Sequence, residues 1–122
     1  MRNNMKTVIA LFAMTLILSG CGKQYKAEST IKDFLATNLQ TSDYSTISFS
    51  DIDSTRYVTD SLINIMRKDA AKKQMFKKDI KYADMQDQYI YTRATICIGN
   101  DTTSHTFYLT KDLSQVVSFK DN

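Results

Sequence analysis

From Tyr89 to Ile98 the sequence reads YIYTRATICI, and its apolar side chains recur with a period of two. Ile90, Ala94, Ile96 and Ile98 fall on one face, with Tyr89, Tyr91, Arg93, Thr95 and Cys97 on the other. A period of two over such a length dictates a strand with one face against a core. Gly99-Asn100-Asp101 follows, residues that tolerate positive φ, and predicts a tight turn. Ser104 to Thr110 reads as the returning strand, with His105, Phe107 and Leu109 on one face and Tyr108 on the other. Thr110 to Leu113 turns again, and Ser114 to Phe119 supplies a third strand. Strands joined by turns this short pair antiparallel.

Upstream the period changes. Ile31, Phe34, Leu35 and Leu39 form one stripe at i, i+3, i+4 and i+8, which predicts a helix over Ala27 to Leu39. Thr30 with Asp33, or Ser29, starts it. Tyr44 to Ile52 alternates as a half-buried strand, with Ile47 and Phe49 sharing a face. Asp51 to Thr55 reads as a turn. A second helix should run from about Ser54 or Thr59 to Met75 or Phe76, with Val58, Leu62, Ile65, Met66 and Ala70 on one face. Asp79 to Gln88 is a polar connection. The absence of proline suits uninterrupted elements.

Helix, strand, helix and then hairpin-linked strands predict an α+β fold of two layers, two helices packed on an antiparallel sheet of about four strands. This element order, from Ala27 to Phe119, resembles the cystatin-like and nuclear-transport-factor-like folds, in which a helix packs on a curved sheet. A cystatin's glycine-containing inhibitory loop has no counterpart here. The resemblance therefore implies a fold and not protease inhibition.

The chain opens with Arg2 and Lys6 and no acid, then runs uncharged from Thr7 to Leu18. Spanning a bilayer takes roughly 20 apolar residues, so this run suits the core of a secretory signal better than a transmembrane helix. Met5 offers a second start. Leu18-Ser19-Gly20-Cys21 resembles the bacterial lipobox, a leucine and two small residues before a cysteine. The resemblance implies a leader over 1–20 that is cut away and a diacylglyceryl group on the Cys21 thiol. It also implies a lipidated tether over 21–26, with one α+β domain over 27–122. Acyl chains anchor a protein by about 0.8 kcal/mol per buried CH₂, and two or more make the anchor stable. In Gram-negative lipoproteins an aspartate after the cysteine retains the protein at the inner membrane, and Gly22 stands there instead. The implied location is the outer membrane, facing the periplasm, with a single-membrane host as the alternative.

The formal net charge of +3 includes Arg2 and Lys6, which leave with the leader, so the mature chain is close to neutral and carries no nucleic-acid signature. With Cys21 lipidated, Cys97 has no disulfide partner. His105 is the sole histidine, so no cysteine–histidine metal cluster can form, and no cofactor motif is present. Neither His105, Cys97 nor the Asp51/Asp53 pair belongs to a recognisable catalytic set, and the chain is not expected to be an enzyme.

Two surfaces remain. Arg67, Lys68, Lys72, Lys73, Lys77, Lys78 and Lys81 outnumber Asp69 and Asp79, and Lys68, Lys72, Lys73, Lys77 and Lys78 are candidate contacts with an anionic surface. Tyr89, Tyr91, Arg93 and Tyr108 form an aromatic face of the sheet and a candidate protein-partner surface. The expectation is an envelope lipoprotein, held at the membrane through Cys21, that acts as a binding, accessory or structural module for an unidentified protein partner. The alternative is a small periplasmic enzyme or inhibitor using a pocket of the domain.

Overall fold

The computed structural model describes residues 22–122; the leader over 1–20 and Cys21 lie outside the described residues. The elements are α1 (Gly22–Asn38), β1 (Tyr44–Phe49), β2 (Asp53–Thr55), α2 (Asp60–Ala71), β3 (Tyr89–Ile98), β4 (Asp101–Leu109) and β5 (Val116–Asp121). Every strand pairing is antiparallel, in the order β1-β3-β4-β5, and β2 joins β3 beyond the end of β1. Two helices pack against this five-stranded sheet, an α+β architecture as the element order requires. The extra strand is β2, which pairs Asp53, Ser54 and Thr55 with Tyr91, Ile90 and Tyr89 where the sequence predicts only a turn.

The main core lies between α1 and one sheet face. Ala27, Ile31, Phe34 and Leu35 are buried over Ala94, Ile96, Phe107, Leu109, Val116 and Phe119, with Ile90 and Ile98 packed against them. The Phe34 ring stands edge-on to Phe107 at 6.0 Å and to Phe119 at 5.7 Å, the arrangement aromatic quadrupoles favour. Each such side chain contributes about 1.5–3 kcal/mol on burial. Ile31, Phe34, Leu35, Ile90, Ala94, Ile96, Ile98, Phe107 and Leu109 are among the positions that the periodicities place on these faces, and Ala27, Val116 and Phe119 join them.

The helix begins earlier than its apolar stripe. The predicted tether over 21–26 is instead, from Gly22 onward, the first turn of α1. Gln24 supplies the reason. β1 and β2 form one edge of the sheet, broken at Ser50 to Ile52, and the break leaves backbone groups without a ladder partner. Gln24 Nε2 donates to the Ser50 carbonyl at 3.0 Å, and Gln24 Oε1 accepts from the Ile52 N–H at 2.9 Å. The Thr92 hydroxyl donates to the same Ser50 carbonyl at 2.5 Å.

A bulge corrects the reading of β1. Thr46 pairs with Ile96 and Ser48 with Thr95, so Ile47 is the extra residue and is 57% exposed. Tyr44 and Phe49 pack on the core, and Ile47 does not share the Phe49 face.

The second helix is shorter and turned differently from its expectation. Thr59 caps it, its hydroxyl accepting from the Leu62 N–H at 3.2 Å. Ile63 and Ala70 are buried and Met66 and Arg67 half-buried, whereas Leu62 and Ile65 are exposed. Arg67 helps hold this rotation. Its Nε donates to the Val117 carbonyl at 3.1 Å and its Nη2 to the Ala83 carbonyl at 2.8 Å, and its guanidinium lies 4.9 Å from the Tyr82 ring centre. After Ala71 the chain leaves the helix to meet the end of α1. Gln40 N donates to Met75 O at 2.9 Å, Lys77 N to Asn38 O at 2.8 Å, and Phe76 is buried.

The connection over 79–88 does more than its polarity predicts. Ile80 and Tyr82 pack on the α1-side core, and Ala83 N donates to Val116 O at 3.0 Å. With Arg67 on Val117 O, this covers backbone groups along the outer edge of β5, which protects an otherwise open strand. Between β4 and β5, Asp112 accepts from the Thr110 and Ser114 hydroxyls at 2.6 and 2.7 Å and from the Ser114 N–H at 3.0 Å. These bonds hold its carboxyl down to about 2. The turn places Leu113 at φ 65, a left-handed conformation offset by burying its side chain in the core.

Candidate functional site: the open sheet face and the groove beside α2

The sheet face turned away from α1 carries Tyr89, Tyr91, Arg93 and Tyr108. Tyr89 is 0% exposed and Tyr108 is also buried, packed with Ile63 of α2 and Val117 of β5. The Tyr89 hydroxyl accepts from the Gln86 N–H at 2.8 Å, so its polar end is satisfied inside the fold. Tyr108 stands 6.4 Å from Tyr89, edge-on, and 6.0 Å from Tyr91. Burial pushes the Tyr108 phenol pKa up. The expected open aromatic surface is therefore corrected: Tyr89 and Tyr108 belong to a second core, Tyr91 is half-buried, and only Arg93 is exposed. Alternation fixes which residues point away from α1. It does not say that a second helix covers them. Ile63, three and seven residues before Met66 and Ala70, was the available signal.

Covering is partial. α2 makes its sheet contacts along β5 and leaves a groove of about 760 Å³ between itself and the open face. Leu62, Ile65 and Met66 form the helix wall with Val58 just before the helix, Tyr108 and Lys120 come from the sheet, and Asp69, Lys72, Lys73 and Asp121 rim it. Leu62 is 45% and Ile65 54% exposed, so the helix presents apolar side chains to solvent here.

The predicted lysines divide into two kinds. Lys68, Lys72, Lys77 and Lys78 are exposed, and Lys78 Nζ donates to the Ala71 carbonyl at 3.2 Å. Lys73 is half-buried and ion-paired with Asp121, so it closes the top of α2 onto β5.

His105 sits behind that pair. It is 1% exposed, and Phe76, Phe107 and Phe119 surround its ring with centroids 6.2–6.4 Å away. Nε2 is 2.9 Å from the Thr103 hydroxyl. Nδ1 lies 2.8 Å from Asp121 Oδ1, close enough for an ion pair but bent away from hydrogen-bond geometry. Burial lowers the His105 pKa, Asp121 works against that shift, and Lys73 adds to it. For Asp121 burial works upward, but Lys73 and His105 outweigh it and hold the carboxyl below its ordinary range. The histidine is a cross-strand partner within the fold, enclosed from substrates.

Cys97 is half-buried, and its Sγ contacts the Gly99 carbonyl at 3.4 Å. Among the described residues no group of three or more His, Cys, Asp or Glu is placed to hold a metal ion. No helix among them is long and apolar enough to cross a membrane. No protein-family model, no curated protein and no solved structure matches the chain.

Proposed function

We propose that the chain is a lipid-anchored protein of the bacterial envelope, held by Cys21 and acting by binding as an accessory or structural module. The observation that carries this reading is Leu18-Ser19-Gly20-Cys21 at the end of an uncharged run that follows Arg2 and Lys6. Gly22 after the cysteine favours the outer membrane, facing the periplasm. The binding reading draws support from the enclosure of His105 and from Arg93, exposed beside half-buried Tyr91 on the sheet face turned away from α1. Arginine and tyrosine are the side chains protein interfaces favour. Metabolic labelling with a palmitate analogue tests the anchor: wild type takes the label and Cys21→Ala does not. Equal labelling of both contradicts it. Cross-linking from the native membrane then tests this pair, since Arg93→Glu with Tyr91→Ser should lose a partner that wild type captures.

A further inference from the structure

The exposed apolar residues of α2 have no counterpart inside the fold. Leu62 and Ile65 lie one turn apart and open to solvent, and Tyr57, three residues before the helix, is 90% exposed. Lys68 and Lys72 follow, both exposed, with Lys120 across the groove; Asp60 and Asp69 are the acids of the same helix. Arg67 is spent on backbone carbonyls and Lys73 on Asp121, so the exposed lysines are the ones free to meet a partner. A helix with apolar and lysine side chains both facing outward suits the boundary between acyl chains and anionic headgroups.

Position supplies the occupant. α1 starts at Gly22, directly after Cys21, and its Thr30 hydroxyl donates to the Leu113 carbonyl at 2.6 Å in the β4–β5 turn. α2 starts just beyond β2, and Ile63 packs on Tyr89, the first residue of β3. The first turns of α1 lie against the break between β1 and β2, where Gln24 bonds Ser50 and Ile52, and both helices begin toward the end of the sheet that holds the start of β3, on its opposite faces. A lipid on Cys21 would bring that end, with Tyr57 and the first turn of α2, to the bilayer; the domain leaning onto α2 would then add Ile65, Lys68 and Lys72, and a tethered surface meets its target at high effective concentration.

We infer that the exposed face of α2, led by Tyr57, is a membrane-contact surface that lays the domain on an anionic leaflet beside its anchor. This rests on the lipid-anchored reading. The chain contains no tryptophan, so single tryptophans report without background. Ile65→Trp and, as comparator, Ile47→Trp on β1 are introduced into the full chain purified from the envelope. Each is placed in vesicles of phosphatidylcholine alone and of equal phosphatidylcholine and phosphatidylglycerol, with bromine in the acyl chains as quencher. The expected result is that Ile65→Trp loses most of its emission in the anionic vesicles, less in the zwitterionic ones, and that Ile47→Trp keeps its emission in both. Lys68→Gln with Lys72→Gln should restore much of the Ile65→Trp signal. Equal quenching at the two sites, or none, overturns the surface. A dimer of the full chain in detergent that shields Ile65→Trp assigns the face to a second copy and likewise overturns it. Mass spectrometry of the same sample separates this from the anchor. An acylated Cys21 without quenching leaves the anchor and removes the α2 surface, whereas quenching on a chain without acyl mass does the reverse.

Discussion

The two helices carry similar apolar patterns and do opposite things with them. In α1 the stripe Ile31, Phe34, Leu35 and Leu39 is buried, while in α2 two members of the predicted stripe, Leu62 and Ile65, face solvent. The difference lies in what each helix meets. α1 covers a sheet face whose apolar residues pack against its own. α2 runs along the β5 edge, where Ile63 and Ala70 are buried and a polar side chain, Arg67, reaches backbone carbonyls at Val117 and Ala83. Hydrophobic periodicity names a face only when the apolar effect alone sets the rotation. Charge-assisted hydrogen bonds to half-buried carbonyls, at about 1.5–3 kcal/mol each when shielded from water, are large enough to help hold a short helix.

The largest effect should come from the α1 side. Phe107→Ala removes a ring with no exposure from contact with Phe34 and Phe119, and should destabilise by about 3–5 kcal/mol in denaturant melts. A loss under about 1 kcal/mol would mean that this core collapses around the cavity.

On the α2 side the two neighbouring tyrosines should separate. Tyr89→Ser empties a buried site and orphans the Gln86 N–H, at about 2–4 kcal/mol, while Tyr91→Ser on half-buried Tyr91 should cost about 1 kcal/mol. Equal melting temperatures for the two variants would return Tyr89 to the surface and remove the second core.

The sequence made the α1 face legible for a physical reason. Over Tyr89 to Ile98 alternation, strand length and the Gly99-Asn100 turn all agree, and Gly99 takes φ 59 as that turn requires. The face residues Ile90, Ala94, Ile96 and Phe107 follow from counting. What was not legible depends on partners distant in sequence. The Ile47 bulge is invisible to a period of two, and β2 resumes the pairing after a break that Gln24 bridges from α1. The burial of Tyr89 depends on Ile63 arriving from α2. Of the candidate surfaces, the lysines were found by charge alone, but the retirement of Lys73 into an ion pair needed the position of Asp121.

The junction of the two regions should respond to acid. His105 is held neutral by burial, with its pKa below the ordinary 6.5. The unfolded chain therefore binds more protons than the native one, and stability falls as pH drops below about 6.5. The lowered Asp121 pKa adds a second loss, which begins only below its ordinary value of 3.8. Melts at descending pH should show a decline of at most about 1.4 kcal/mol per pH unit over the histidine window. His105→Gln should flatten it, and an unchanged slope would place the titrating group elsewhere.

The smallest effect is expected at the groove. Leu62→Ser with Ile65→Ser should change stability by no more than about 0.5 kcal/mol, because neither side chain belongs to either core. A loss as large as that of Tyr89→Ser would make these residues structural and erase the contrast between the helices.

Cys21 ties the comparison to function, since the lipid it would carry decides which end of the domain faces the membrane. Intact-mass spectrometry of the full chain purified from the envelope tests it directly. The lipid-anchored reading predicts a chain that begins at Cys21 and carries the added mass of a diacylglyceryl group. A chain that retains residues 1–20, or one that begins at Cys21 with a free thiol, would contradict it.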